Sequence, residues 1–190
     1  MKRIALVLAA SLALPAFAAL KTGDAAPDFK LAASLSGKEF NYGLREHLKK
    51  GPVVVYFYPS AYTGGCNIQA HEFAVNIDKF TAAGASVVGV SLDSIERLNE
   101  FSADPQYCAG KLPVASDVDG KVAKAYDLTI RDAAPGKKDT RGIDITHGFA
   151  ERTTFIVAPD GKIAATIGGV AAAKNVEESL VAVQKLAKPN

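Results

Sequence analysis

One cysteine of this chain, Cys66, stands where a buried strand should give way to a helix. The run Val53–Tyr58 is entirely apolar or aromatic, which is typical of a strand covered on both faces of a sheet. Pro59 ends this run, and small residues lead from it to the cysteine. Because a helix N-terminus offers free N–H groups and a positive dipole end, it favours a thiolate over a thiol. The pattern therefore predicts a reactive sulfur at Cys66.

The residue three positions before this cysteine limits what the sulfur could do. Thioredoxin-type oxidoreductases carry Cys-x-x-Cys at such a turn, whereas this chain has Thr63-Gly64-Gly65-Cys66. A hydroxyl cannot form a mixed disulfide, although it can donate or accept a hydrogen bond beside a thiolate. The local dithiol reaction is thus excluded. Two reactions remain, which are attack on a peroxide and attack on the disulfide of a partner.

Peroxide reduction by a thiolate makes three demands on the surrounding residues. The site must favour the ionised sulfur, hold both oxygens in line with it, and stabilise the charge on the departing oxygen. Backbone N–H groups near Cys66, the Thr63 hydroxyl and a fixed guanidinium would meet these demands. Arginine suits the last role better than lysine, because its planar fork can contact sulfur and oxygen together.

The second cysteine, Cys108, leaves a different interpretation open. In an oxidising compartment outside the cytoplasm, two cysteines in one chain are by default a structural disulfide. The three histidines at positions 47, 71 and 147 invite a metal site as well. Their separations from one another and from the cysteines match no compact ligand pattern, so we expect no metal.

The first eighteen residues have the composition of a secretory signal. Lys2 and Arg3 precede an apolar run, and Ala16-Phe17-Ala18 supplies the small-x-small pattern of a cleavage site. We therefore expect residues 1–18 to be a signal peptide, export to the bacterial periplasm, and one domain over residues 19–190. Without Lys2 and Arg3 the 22 basic residues become 20, equal to the 20 acidic ones. This balance predicts no nucleic acid and no membrane surface as a partner.

Apolar periodicity and turn residues predict the remaining helices and strands. Two capping-box patterns, Asp93 with Glu96 and Asn175 with Glu178, predict the starts of two of the helices. The predicted helices cover about 44–50, 66–84, 93–101, 120–126 and 175–188, and the predicted central strands cover 53–58, 86–92, 114–115, 152–157 and 162–167.

This order of elements predicts an α/β fold. A hairpin over residues 25–40 should cover one edge of a central mixed β-sheet, with helices on both faces. Residues 129–148 are polar, carry no clear period, and are predicted to be an insertion or surface loop. A cysteine directly after the first core strand makes the succession similar to a thioredoxin-like fold.

The run Pro59-x-x-x-Thr63-x-x-Cys66 resembles the active-site motif of the peroxiredoxins. The preceding Val-Val-Val-Tyr-Phe-Tyr resembles the bacterioferritin-comigratory-protein (PrxQ) branch, and the resemblance spans nearly all of residues 19–190. It implies that Cys66 is the peroxidatic cysteine, that Thr63 orients the peroxide and that Pro59 shields the thiolate. It implies further that Arg152 activates sulfur and peroxide and that Gln69 supports Arg152. Members of the family reduce hydrogen peroxide or organic hydroperoxides without metal, haem or flavin.

The chain departs from this family pattern at two positions. Gly64 stands where relatives commonly have proline, and His71 stands where many PrxQ proteins have a resolving cysteine. The resemblance therefore implies that Cys108 resolves the Cys66 sulfenic acid by forming a disulfide, as in other members of the branch.

Several alternatives stay open on the sequence alone. Tyr62 could line the rim of the pocket or serve only in packing. An external thiol could attack the sulfenic acid directly, as in a one-cysteine enzyme. The chain could also be a non-catalytic thioredoxin-like binding module with a structural disulfide. The resemblance implies a thioredoxin-like or other thiol reductant as partner, and a monomer or weak homodimer.

Overall fold

Strands and helices alternate along most of the chain, as the sequence predicts. The structure, a computed structural model, describes residues 19–187, so the predicted signal peptide lies outside the described residues. In chain order the elements are β1 (Lys30–Leu35), β2 (Lys38–Gly43), α1 (Leu44–Leu48), β3 (Val53–Phe57), α2 (Gly64–Ala82), β4 (Ser86–Ser91), α3 (Ile95–Ala103), β5 (Val114–Ser116), α4 (Lys121–Ala125), β6 (Ile130–Arg131), β7 (Phe149–Ala150), β8 (Thr153–Val157), β9 (Ile163–Gly168) and α5 (Ala172–Ala187).

The apolar run before Cys66 forms the central strand, β3, and every residue of it is buried. In the described part of the chain, seven strands form one sheet in the order β2-β1-β5-β4-β3-β8-β9. β3 pairs in parallel with β4 and antiparallel with β8, so the sheet is mixed as expected. A strand paired along both sides and covered on both faces favours apolar and aromatic side chains, which explains its composition.

Side chains of β3 alternate between two hydrophobic cores. Tyr56 points to the core built with α2, α3 and α5, and this core also contains both cysteines. Phe57 points to the opposite core, which includes residues of α1 and α4. Helices thus cover both faces of the sheet, and the two sulfurs lie on the same face.

The N-terminal hairpin lies at one edge of the sheet, but its first strand begins later than predicted. β1 starts at Lys30 and turns into β2 through Ser36 and Gly37, both at positive φ. Residues 20–26 instead run along the free side of β9, where Gly23 N–H donates to the Ile163 carbonyl at 2.8 Å. Pro27 ends this pairing because it has no N–H to give to a ladder.

Two of the predicted helix starts are wrong. α3 is capped by Ser94, whose hydroxyl accepts from Arg97 N–H, while Asp93 is fully buried. α5 begins at Ala172, so Asn175 lies inside the helix and is buried as well. In both cases a polar side chain that resembles a helix cap in the sequence instead forms hydrogen bonds with residues distant along the chain.

Residues 132–148 of the polar stretch lie between β6 and β7, which pair with each other. Asp139 organises the loop, because its carboxylate accepts from the N–H groups of Arg141 and Ile143 at 2.8 and 3.0 Å. Asp139 and Ile145 are buried, but most residues of this stretch are exposed, so the prediction of a surface loop is confirmed. Over residues 19–187, no helix has both the length and the apolar composition needed to cross a bilayer.

Candidate active site

Cys66 is the third residue of α2. Thr63 is the N-cap, with extended backbone and no side-chain capping bond, and the first helical hydrogen bond runs from Asn67 N–H to the Thr63 carbonyl at 2.8 Å. The N–H groups of the first turn are therefore free to face an anion at this end of the helix. The Cys66 side chain is 2% exposed and belongs to the core that also contains Tyr56.

Asp93 stabilises the turn between β3 and α2 by hydrogen bonds. Its carboxylate accepts from the Ser60 hydroxyl at 2.9 Å and from Ala61 N–H at 2.8 Å. The Thr63 hydroxyl in turn donates to the Ser60 carbonyl at 2.8 Å. This bond uses the proton of Thr63 and leaves its oxygen able to accept one from a bound molecule.

Arg152 reaches the sulfur from the residue just before β8. Its Nη2 lies 3.3 Å from Cys66 Sγ, and its Nη1 donates to Gln69 Oε1. Gly65 makes room for the guanidinium, because a Cβ at that position would lie 3.1 Å from Arg152 Nη2. Three of the residues singled out in the sequence, at positions 66, 69 and 152, thus form one contiguous group.

A small opening beside this group leads to the surface. It has a volume of about 300 Å³ and is lined by Pro59, Thr129, Arg131, Phe149, Ala150, Glu151 and Arg152. Arg152 is therefore shared between the sulfur and the opening. Pro59 is half-buried and forms part of the wall, so both predicted residues border this opening.

Tyr62 is buried by packing and does not line this opening. Its ring packs edge-on against Phe101 and Tyr107, and the Arg141 guanidinium lies 3.4 Å from its centroid. Burial raises the pKa of Tyr62 to about 12. Its carbonyl accepts from Thr140 N–H at 2.8 Å. Tyr62 therefore joins three segments, namely the active-site turn, the residues before Cys108 and the loop 132–148.

Cys108 lies in a tight turn after α3 and is fully buried. The turn is closed by hydrogen bonds from Ala109 N–H to the Asp104 carbonyl and from Lys111 N–H to the Cys108 carbonyl, each 2.9 Å long. Burial, together with the charge of Asp104, holds the pKa of the Cys108 thiol well above its usual range. Both cysteines are free thiols in this structure. Cys108 is thus kept protonated as long as its turn stays closed.

Asp93, interpreted in the sequence as a helix cap, forms the centre of a buried ionic group. Its Oδ1 lies 2.8 Å from Nε of Arg97 and 2.8 Å from Nε2 of His147. Burial, which alone would raise the pKa of Asp93, is outweighed by the hydrogen bond and charge of His147, so this pKa is lowered. Conversely, burial would lower the pKa of His147, but Asp93 raises it above the ordinary value. Arg97 extends the group to Asp139 of the loop at 2.8 Å.

Other features of the molecule lie away from the sulfur. A cavity of about 550 Å³ is bordered by Phe40, Tyr42 and His47, none of them near the first turn of α2. Within residues 19–187, no cluster of three or more His, Cys, Asp or Glu side chains is placed to hold a metal ion. Asp93, His147 and Asn175 are functional candidates that the sequence pattern did not identify, since nothing local marks their distant partners.

Sequence comparisons with known proteins find a family and relatives of this chain. The model of the AhpC/TSA family matches residues 22–166. Peroxiredoxin Bcp of Xanthomonas campestris is 32% identical over 163 residues, covering 86% of this chain and 94% of the relative. Peroxiredoxin Bcp of Escherichia coli is 32% identical over 144 residues, covering 76% and 83%.

Solved structures similar to this one come from the same kind of protein. Peroxidoxin BcpB of Mycobacterium tuberculosis superposes with a TM-score of 0.73 and 27% identity, covering 88% of this chain and 98% of that one. Peroxiredoxin Q of X. campestris superposes with a TM-score of 0.66 and 31% identity, covering 83% and 92%. These neighbours share the thioredoxin-like arrangement described above.

Proposed function

The chain belongs to the AhpC/TSA family, as a peroxiredoxin of the Bcp and peroxiredoxin Q type, and on this basis we propose that its two cysteines share one catalytic cycle. Members of this class are thiol peroxidases. In the proposed cycle Cys66 reduces the hydroperoxide and Cys108 resolves the oxidised sulfur. The observation that carries the first step is the Arg152 guanidinium, 3.3 Å from a cysteine sulfur at a helix N-terminus.

In the first step the Cys66 thiolate attacks one oxygen of the hydroperoxide. The O–O bond breaks, an S–O bond forms, and the second oxygen leaves with a proton as water or an alcohol. Arg152 faces both the sulfur and the opening, so its charge can stabilise the oxygen that becomes negative. Thr63 accepts a hydrogen bond from the peroxide, while Pro59 limits the access of water. Gln69 holds Arg152, and Tyr62 keeps the turn in place.

In the second step the Cys108 thiol attacks the sulfenic sulfur of Cys66. An S–S bond forms and the hydroxyl leaves as water, so the enzyme carries the two-electron oxidation as a disulfide. Disulfide geometry needs the two Cα atoms at about 6 Å, which requires local opening around buried sulfurs. The turn at Cys108 is a suitable place, because it lies outside any helix or strand and contains two successive residues, Ala109 and Gly110, at positive φ.

The disulfide must then be reduced by an external dithiol, which we propose to be a thioredoxin-like protein or another thiol reductant. Two electrons pass from that dithiol to the Cys66–Cys108 pair, and both thiols are regenerated. A monomer or weak homodimer is the proposed working form, and sedimentation at increasing protein concentration measures it.

Intact mass after peroxide treatment tests the proposed cycle. Reduced wild type, Cys66→Ser and Cys108→Ser are each exposed to hydrogen peroxide and weighed. Wild type should lose two hydrogens, Cys108→Ser should gain one or more oxygens, and Cys66→Ser should remain unchanged. Wild type that gains oxygen and forms no internal disulfide would establish the one-cysteine mechanism instead. No rapid peroxide consumption by any of the three proteins would favour the non-catalytic binding module.

We further propose that residues 1–18 direct export and are removed after Ala18. The basic pair followed by an apolar run and Ala16-Phe17-Ala18 supports this proposal. Expression of the full chain in a Gram-negative host, followed by osmotic shock, should release a protein that begins at Ala19. Full-length protein retained in the cytoplasmic fraction would contradict it.

A further inference from the structure

Asn175 lies at the far end of a line of hydrogen bonds that begins at the reactive sulfur. It is a fully buried residue of α5, distant in sequence from the active-site turn. Its Oδ1 accepts from Gln69 Nε2 at 2.9 Å and from the Thr154 hydroxyl at 2.6 Å. Its Nδ2 donates to the Ile167 carbonyl at 3.0 Å. One side chain thus connects α2, β8 and β9.

The two ends of this line fix the direction of every hydrogen bond in it. A guanidinium such as that of Arg152 can only donate, and a backbone carbonyl such as that of Ile167 can only accept. Asn175 must therefore turn its amino group to Ile167 and its oxygen to Gln69. Gln69 must in turn present its amino group to Asn175, which leaves Gln69 Oε1 for Arg152.

Without Asn175 the amino group of Gln69 would lose its acceptor, and nothing would favour this orientation of the Gln69 amide. A half-turn about its last bond would place an amino group against the guanidinium, and two donors facing each other repel. Arg152 would then lose an acceptor that keeps its fork in one position, and its Nη2 would no longer be held against Cys66.

We propose that Asn175, assisted by Thr154, is a positioning residue that orients the Gln69 amide and thereby holds Arg152 against the reactive sulfur. The inference rests on the proposed function, because it assumes that Arg152 activates Cys66. Asn175 also ties α5 to β9, so a purely structural role must be distinguished from this one.

Ser179 provides the matched control for such a structural role. It lies one turn further along α5, is fully buried, and donates to the Asn175 carbonyl at 2.7 Å. Its hydroxyl has no connection to Gln69 or Arg152. Ser179→Ala should therefore lower the stability of the helix packing without changing the behaviour of the sulfur.

The experiment compares Asn175→Ala with Ser179→Ala in a Cys108→Ser background, where Cys66 is the only thiol. Three quantities are measured: the melting temperature, the peroxide reaction rate, and the pH profile of alkylation by iodoacetamide. For Asn175→Ala we expect a peroxide rate about tenfold lower, as for the loss of one charge-assisted hydrogen bond, and an alkylation profile displaced to higher pH. Ser179→Ala should melt earlier and otherwise match its parent.

Thr154 supplies a second pair of variants that does not depend on the folding of Asn175→Ala. Thr154→Val removes one donor to Asn175 at nearly constant shape and should lower the rate less than Asn175→Ala does. Thr154→Ser keeps the hydroxyl and should therefore react at the rate of the parent protein. An unchanged rate and pH profile in both Asn175→Ala and Thr154→Val would overturn the positioning role. Equal displacement of the profile by Ser179→Ala would overturn it as well.

The parent protein separates this inference from the proposed function. If the Cys108→Ser parent does not react rapidly with peroxide, the proposed function itself is wrong. If the parent reacts rapidly and Asn175→Ala does so equally, only the role of Asn175 is lost.

Discussion

Arg152 contacts the sulfur, Gln69 and the entrance of the site with a single side chain. A guanidinium can do this because its five N–H groups lie in one plane and point in different directions. A lysine donates from a single nitrogen at the end of a flexible stem, so it cannot reproduce the two separate nitrogens that here bond Gln69 and face Cys66. The geometry therefore depends on the shape of this residue as much as on its charge.

Replacement of Arg152 by lysine tests the importance of that shape. We expect Arg152→Lys to keep the fold and to lower the second-order rate constant with hydrogen peroxide by about 100-fold, as for loss of a fixed transition-state donor. Stopped-flow measurement of peroxide consumption under reducing conditions gives the rate. Arg131→Lys is the control, because Arg131 lines the same opening without contacting the sulfur. Equal rates for Arg152→Lys and wild type would refute the assigned role.

At the residue scale, the sequence identified the side chains that contact the sulfur or Arg152, but not the side chains that hold those residues in place. Cys66, Gln69 and Arg152 do form one group, because the motif and the neighbouring strand fix their positions on adjacent elements. Asp93 and Asn175 were interpreted as helix caps, since a short polar side chain before a helical pattern usually has that role. Their real partners lie on other strands and loops, and no local pattern indicates such partners.

At the scale of elements, the loop 132–148 is fastened to the active-site turn by several contacts. Thr140 bonds the carbonyl of Tyr62, and His147 bonds the carboxylate of Asp93 beneath the turn. Arg97 joins the same carboxylate to Asp139 of the loop. A polar composition predicted a surface loop here, but it could not reveal that charged residues of the loop are paired under its outer surface.

The pairing of His147 with Asp93 makes stability depend on pH. Because the folded-state pKa of His147 is raised, its contribution is complete below the ordinary histidine pKa of 6.5 and is lost as pH rises through the folded value. The pKa of Asp93 is lowered, so its contribution holds above 3.8 and is lost as pH falls through its folded value. The ion pair is therefore intact in mildly acidic solution.

Urea unfolding of His147→Gln measures this contribution. Near pH 5.5 we expect the variant to be less stable than wild type by roughly 1.5–3 kcal/mol, the usual range for a hydrogen bond to a charged group. The difference should shrink as the pH rises through the folded-state pKa of His147, because a neutral imidazole no longer forms an ion pair with Asp93. His71→Gln is the control, since His71 is exposed and bonds only the Gln106 carbonyl. A stability difference that grows with pH would contradict the raised pKa of His147.

At the scale of the whole molecule, the fold class followed from a few strong signals. The unbroken apolar run of β3 predicted a strand buried on both faces, and Pro159-Asp160-Gly161 predicted the turn between β8 and β9. Both predictions are confirmed. The first strand was predicted too early because residues 25–31 are extended in either arrangement. In the sequence, only Pro27 marks the boundary between the residues that pair beside β9 and those that lead into β1.

Both cysteines belong to one core on one side of a sheet whose central strands are wholly buried. We therefore expect the motion proposed for disulfide formation to involve the first turn of α2 and the turn at Cys108. β3, β4 and β8 form a platform that does not need to move. The two turns proposed to open would thus be supported by strands that keep their positions.

The strip formed by residues 20–26 has a consequence for how copies of this protein meet. A bare outer strand invites a neighbouring chain to add itself by backbone hydrogen bonds, which is a common route to fibres and aggregates. At the start of β9 residues 23–26 already occupy that position, and the opposite border, β2, presents the exposed charges of Lys38 and Glu39. Both features make the borders of the sheet poor templates for polymerisation.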